Sequence, residues 1–271
     1  PYELWQYRLK GKNQPKRLTY MNKKVEDTVD IRPGEEIWIK GADDKMIHCW
    51  IVKPHGFDPA RKYPLILNVH GGPQSQWADS FRGDWQVYPG SGYVLAFPNP
   101  HGSTGFGQAF TDAISRDYHG KVISDIKKVT DHLAKLSYVD ENRIGAMGWS
   151  WGGYAMMWLE GNSTRYKALV AMMGIFDLSS MYLATEELWF THYDNGGAPW
   201  ENPAYYKAAS PSSYVENFKT PCLIITGERD YRVPYTQSLQ FFTALQRMGV
   251  DSEIIVFSND GHWPDHVMSM P

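Results

Sequence analysis

Residues 144–159 constrain this chain more than any other segment. The short apolar run 144–147 leads into Gly148-Trp149-Ser150-Trp151-Gly152-Gly153, and the helix-compatible stretch 154–159 follows directly. A strand that turns at once into a helix needs small residues where backbone meets backbone, and Gly148, Gly152 and Gly153 supply them. The serine of such a turn is lifted to the carboxyl end of a sheet, beside the backbone N–H of Trp151. This demands a sheet whose strands alternate with helices.

The remaining pattern meets that demand. Residues 3–9 alternate apolar and polar, Gly11-Lys12-Asn13 is a turn signal, and 15–19 reads as the returning strand. Ile37 and Ile39, a turn around Asp43-Asp44, and 47–52 predict a second hairpin. Residues 63–69 read as a buried strand ending in His70-Gly71-Gly72-Pro73, and 93–97 as another. Val122, Ile126, Val129, Leu133 and Leu136 recur at helical spacing, predicting a crossover helix. Strands are expected at 168–172, 223–226 and 253–257, with a helix marked by Leu239, Phe242 and Leu245. The Trp- and Tyr-rich stretch 174–211 reads as an irregular helical excursion. Together these predict an α/β fold with a doubly wound, mostly parallel sheet. Ligands of such sheets bind outside the carboxyl ends of the strands.

Chemistry-bearing residues fall at those ends. Ser150 is the candidate nucleophile, and a neutral hydroxyl needs a base within hydrogen-bond reach. His262, in Asn259-Asp260-Gly261-His262-Trp263 after the last strand, is the candidate base, because imidazole titrates near neutrality. His266 is its nearest rival and is expected in a following helix, while His48 and His132 read as structural. Asp230, after the strand at 223–226, is the candidate acid that orients the imidazole, with Glu228 as competitor. The order Ser, Asp, His is one that hydrolytic triads use. The paired glycines of His70-Gly71-Gly72-Pro73 let a backbone N–H approach a substrate oxygen. The N–H groups of Gly72 and Trp151 are therefore the candidate oxyanion donors.

Other chemistries find less support. Gly102, Gly105 and Gly107 lack dinucleotide-loop spacing and read as an ordinary loop. No His, Cys, Asp and Glu grouping has metal-ligand spacing, so neither metal nor other cofactor is expected. A net charge of −3 argues against a general nucleic-acid binder. No apolar run has the length of a membrane helix. The two cysteines, Cys49 and Cys222, sit in apolar runs and read as buried free thiols.

The motifs His70-Gly71-Gly72-Pro73, His101-Gly102-Ser103-Thr104-Gly105-Phe106-Gly107, Gly148 to Tyr154 and Asp230-Tyr231-Arg232-Val233-Pro234 together resemble the prolyl oligopeptidase family of serine peptidases. The resemblance runs from about residue 35 to the end of the chain. Gly174-Ile175-Phe176-Asp177-Leu178, then 185–190, Gly196-Gly197 and Pro199-Trp200, are similar to its dipeptidyl peptidase V and acylaminoacyl peptidase branch. The resemblance implies an α/β-hydrolase fold with an eight-stranded sheet. It also implies a serine exopeptidase that cleaves short peptides through an acyl-enzyme, releasing either dipeptides or acylated amino acids. Family members carry a seven- or eight-bladed β-propeller upstream. Residues 1–20 are accordingly expected to be the remnant of a propeller, and 21–271 a hydrolase domain lacking its last helix.

By position, the resemblance assigns Trp151, Ile175, Leu178, Met181 and Val233 to the apolar pocket for the residue before the scissile bond. It assigns Arg232 to a substrate backbone carbonyl. Two departures stand out. His70 occupies a place where some relatives put a tyrosine oxyanion donor, which leaves the donors to the backbone. Trp151 replaces a more usual tyrosine. The expected partners are short peptides and the upstream propeller of the same parent chain; oligomeric state and compartment, exported or cytoplasmic, stay open. Two other readings remain: a carboxylesterase on the same fold, and a peptide-holding domain without catalysis.

Overall fold

The structure, a computed structural model, describes residues 3–11 and 14–264. Lys12 and Asn13 of the first expected turn, and His266, lie outside the described residues.

A small antiparallel pair opens the chain. β1 (Trp5–Gln6) pairs with β2 (Lys16–Arg17) through Trp5 opposite Arg17 and Gln6 opposite Lys16. The pairing is shorter than the alternation predicts. Leu4, Trp5, Tyr7 and Leu9 are all exposed, so packing does not extend the ladder. Glu3 instead ties the segment together, 2.8 Å from Arg17 and accepting from the Thr19 hydroxyl and the Asn22 N–H. The helix α1 (Lys23–Thr28) follows, with no buried residue.

The main sheet has eight strands. They are β3 (Glu35–Lys40), β4 (Met46–Val52), β5 (Tyr63–Val69), β6 (Val94–Asn99), β7 (Val139–Trp149), β8 (Leu169–Met172), β9 (Cys222–Gly227) and β10 (Ser252–Phe257). Their spatial order is β10-β9-β8-β7-β5-β6-β4-β3. From β6 to β10 every pair is parallel, while β3, β4 and β6 pair antiparallel at the other end. Burial follows position: all six residues of β6 are buried, whereas the edge strand β10 has none buried and leaves Ile255 and Val256 exposed. Sheets covered on both faces require apolar runs in the middle and tolerate alternation at the rim. This is the α/β-hydrolase fold, as expected.

Helices cover both faces. Between β5 and β7 lie α2 (Asp84–Gly90), α3 (Gln108–Asp112) and α4 (Lys121–Leu133). The expected stripe of α4 is buried, and the helix ends at Leu133 rather than Leu136. Asp125 lies on the same face, fully buried. Its Oδ1 accepts from the Ala42 N–H, and its Oδ2 accepts from the His101 N–H and pairs with His101 Nδ1 at 2.6 Å. α5 (Trp151–Asn162) is buried on every side from Trp151 to Gly161, so it has no polar face at all. The stretch after β8 folds into α6 (Leu178–Tyr182), α7 (Leu188–Asn195) and α8 (Pro203–Ala209).

The helix α9 (Thr236–Arg247) forms where Leu239, Phe242 and Leu245 mark it, with Leu245 in the core and Phe242 packed against it. Phe241 and Leu245 are buried together with Gln237 and Ser238, while Leu239 points outward at 37% exposure. Gln237 is buried on this face because its Oε1 accepts the N–H groups of Phe176 and Asp177, at 2.9 and 2.8 Å. Cys49 and Cys222 are free and buried, and burial pushes the Cys49 thiol up to about 12.

Candidate active site

Ser150 joins β7 to α5 with φ 59° and ψ −118°, a backbone conformation that side chains other than glycine rarely adopt. Its surroundings enforce it. The Ser150 N–H donates to the Met172 carbonyl at 2.9 Å, and its own carbonyl accepts from Tyr154 at 3.0 Å. A Cβ at Gly148 would strike the backbone of Gly152, and one at Gly152 would strike the Val69 carbonyl. The glycines of the turn are there because β5, β7 and α5 meet with no room for a side chain.

His262 follows β10, and its Nδ1 lies 2.7 Å from Asp230 Oδ2. A carboxylate only accepts, so Nδ1 carries the proton and Nε2 is left as the acceptor. Asp230 is fixed in turn, its Oδ1 accepting the N–H groups of Arg232 and Val233 at 3.0 and 2.9 Å. Asp230 is 2% exposed and His262 6%, whereas the competing Glu228 is exposed. The Arg229 N–H donates to the Asp260 carbonyl at 3.0 Å and locks the two loops together. Two indoles border the imidazole: Trp149 and Trp263 stack on each other at 5.5 Å, and both meet the His262 ring edge-on.

Ser150 and His262 line one cavity of about 1080 Å³. No hydrogen bond joins Ser150 to His262 in this structure; such bonds are often long before substrate arrives. Gly72 and Trp151 also line the cavity, and neither N–H donates to another backbone group. Gly72 has φ 120°, which only glycine adopts without strain.

Beneath it, His70 is buried, donating from Nδ1 to the Gly71 carbonyl at 2.8 Å and accepting at Nε2 from Ser103 Oγ at 2.9 Å. Burial pushes His70 down to about 4, so the imidazole is neutral here. The glycine-rich loop after β6 thus supplies Ser103 as a support for the Gly71-Gly72 turn.

Of the residues assigned to the apolar pocket, Trp151, Ile175, Met181 and Val233 line the cavity, and so does Arg232. Leu178 does not. As the first residue of α6, it is 1% exposed in the main core, with its N–H tied to Ser210 Oγ at 2.9 Å. Arg232 Nε sits 3.2 Å from Glu187, which lines the same cavity. Residues absent from the sequence reading also shape the site. Gln237 pins the segment carrying Ile175, and the buried Asp194 joins Tyr118, Ser115 and Gln74 along one wall. Each of these contacts joins residues far apart in the chain, so no local spacing announces them. Among the described residues no group of three or more His, Cys, Asp and Glu could hold a metal, and no helix is long and apolar enough to cross a membrane.

Residues 79–268 match the prolyl oligopeptidase family. The chain belongs to this family. It is 39% identical over 246 residues to dipeptidyl-peptidase 5 of Schizosaccharomyces pombe, covering 88% of this chain and 36% of that one. It is also 39% identical over 265 residues to dipeptidyl-peptidase 5 of Porphyromonas gingivalis, covering 95% of this chain and 39% of that one. The fold matches Pyrococcus horikoshii acylaminoacyl peptidase with a TM-score of 0.91 and 28% identity, over 99% of this chain and 43% of the other. An acylaminoacyl peptidase in complex with Z-Gly-Gly-Phe-chloromethyl ketone matches with the same score at 29% identity, over 98% of this chain and 43% of the other. This prolyl oligopeptidase family chain therefore spans about two fifths of the length of the relatives it matches.

Proposed function

We propose that this chain carries the catalytic centre of a serine exopeptidase that cleaves short peptides by acyl transfer. The observation that carries the reading is the buried pair of Asp230 and His262, which presents a free Nε2 to the cavity that Ser150 lines from its strained turn. Ser150 Oγ attacks the peptide carbonyl while His262 Nε2 takes its proton. The tetrahedral oxyanion is held by the N–H groups of Gly72 and Trp151. His262 then returns the proton to the leaving amine, and water releases the acyl group by the same steps in reverse. Asp230 holds the tautomer and stabilises the imidazolium.

The relatives named dipeptidyl-peptidase 5 and acylaminoacyl peptidase support peptides as the substrate class. Ile175, Met181, Val233 and Trp151 form the apolar wall for the residue before the cut, and Arg232 takes a substrate carbonyl. An upstream β-propeller is part of this reading. The exposed apolar side chains of the first hairpin, and of Trp189 and Trp263 on the cavity wall, are surface for it to cover.

The test is covalent labelling of Ser150 by a fluorophosphonate, with turnover of dipeptidyl and acyl-aminoacyl amides compared against simple esters. In the complete protein containing this chain, Ser150→Ala should abolish labelling and lower kcat by roughly 10⁶. Near-normal turnover in that variant would refute the triad, and turnover of esters alone would replace the peptidase with an esterase.

A further inference from the structure

Asp194, near the end of α7, is 1% exposed and lines the cavity. Its Oδ1 accepts from Ser115 Oγ at 2.8 Å, and its Oδ2 from the Tyr118 hydroxyl at 2.8 Å and Gln74 Nε2 at 3.2 Å. Its carbonyl accepts from the Arg116 N–H at 2.7 Å. The side-chain partners are neutral, and no ion pair involves this carboxylate among the described residues. A buried carboxylate without a cation is costly unless several donors converge on it, as three side chains do here.

The partners are informative. Gln74 lies two residues after Gly72, in the loop whose N–H is one oxyanion donor. Tyr118 is buried and meets the indole of Trp151, whose N–H is the other, edge-on at 6.0 Å. His70 and Ser103 hold that loop from beneath, through the Gly71 carbonyl. Asp194 holds it from the side and links it to the far wall.

We propose that Asp194 is a positioning residue that sets the spacing of the two oxyanion donors by tying Gln74 and Tyr118 to α7. The proposal rests on the triad reading above. A carboxylate can do this because both oxygens only accept. An asparagine would turn an N–H₂ toward one of these donors: facing a hydroxyl it reverses that bond, facing the Gln74 amide it loses the link, and in either case the charge that strengthens all three is gone.

The experiment uses the complete protein with Asp194→Asn, Gln74→Ala and the double variant, assayed on a dipeptidyl p-nitroanilide. A peptidyl boronate, whose tetrahedral adduct on Ser150 occupies the oxyanion position, gives the second readout. Misplacing a reacting group by about 1 Å costs up to roughly 10²-fold. Asp194→Asn should therefore lower kcat by about 10- to 100-fold, with KM within about threefold. Boronate affinity should fall by the same factor as kcat, with product binding unchanged. Gln74→Ala should act in the same direction, and the double variant should be no worse than Asp194→Asn.

A purely structural role would lower the melting temperature and leave the boronate affinity intact, overturning the proposal. So would kcat within twofold of the parent, or a change confined to KM. If Asp194→Asn does not fold, the kcat and boronate affinity of Gln74→Ala decide the matter by the same limits. Fluorophosphonate labelling of the unsubstituted protein separates the two layers. No labelling brings down the triad reading, whereas labelling with unaltered variants brings down the role of Asp194 alone.

Discussion

Replacing Asp230 by asparagine is the sharpest single perturbation of this site. Asp230 uses its two oxygens differently: Oδ1 accepts from two backbone N–H groups, those of Arg232 and Val233, and Oδ2 accepts one hydrogen bond from His262 Nδ1. An asparagine has one acceptor end and one donor end. The two N–H donors outvote the single one, so the amide oxygen goes to Oδ1's place and the N–H₂ faces His262. The imidazole must then accept at Nδ1, which moves its proton to Nε2, where the Ser150 proton should arrive. The side chain keeps its shape and burial, so the loss is one of tautomer, not of geometry. Such a loss lowers kcat by about 10⁴ in a serine-histidine-aspartate triad, which is about 5 kcal/mol of barrier.

The assay is kcat/KM of Asp230→Asn across pH, alongside ¹⁵N shifts of the His262 ring. Near-native melting, a rate about four decades down and a protonated Nε2 are the expected results. A rate within tenfold of the parent would refute the reasoning, and so would a large loss with Nδ1 still protonated.

Two further outcomes follow from burial. His70 is held down at about 4 by burial, below the ordinary imidazole value of 6.5. The unfolded chain therefore binds this proton first, and the contribution of His70 is complete above about pH 6.5 and disappears as pH falls toward 4. The amount is about 3 kcal/mol. Urea midpoints from pH 7 to pH 4 should fall less steeply in His70→Gln than in the parent, and equal slopes would contradict the argument. Leu178→Ala should cost about 2–5 kcal/mol of stability by leaving a core cavity, with KM for short peptides unchanged. A raised KM at parental stability would return Leu178 to the pocket.

The elbow was legible because its requirement is local: three glycines within six residues answer contacts that any strand-to-helix turn of this kind makes. Strands 63–69 and 93–97 were legible because strands inside a covered sheet carry apolar runs, and 47–52 because a turn at Asp43-Asp44 pairs it with Ile37 and Ile39. His262 and Asp230 were named by their places after two strands, and the structure sets them 2.7 Å apart. Pairing between distant residues was not legible. Asp125 sits in a helical stripe otherwise read from its apolar members, and only its bonds to Ala42 and His101 explain it. Gln237 is buried in α9 because two backbone N–H groups 60 and 61 residues away need an acceptor, which the apolar periodicity of that helix does not announce. Asp194 gives no signal at all, since its donors come from residues 74, 115 and 118.

The order of the sheet divides the site unequally. Ser150 directly follows β7, which is flanked on both sides by β5 and β8 and contacted by α5, buried from Trp151 to Gly161. His262 follows β10, which among the described residues pairs on one side only, with β9. Openings in a protein begin where protection is thinnest. Warming should therefore part His262 from a Ser150 that is still in place, and on the proposed triad inactivation would be the first event of melting rather than its result.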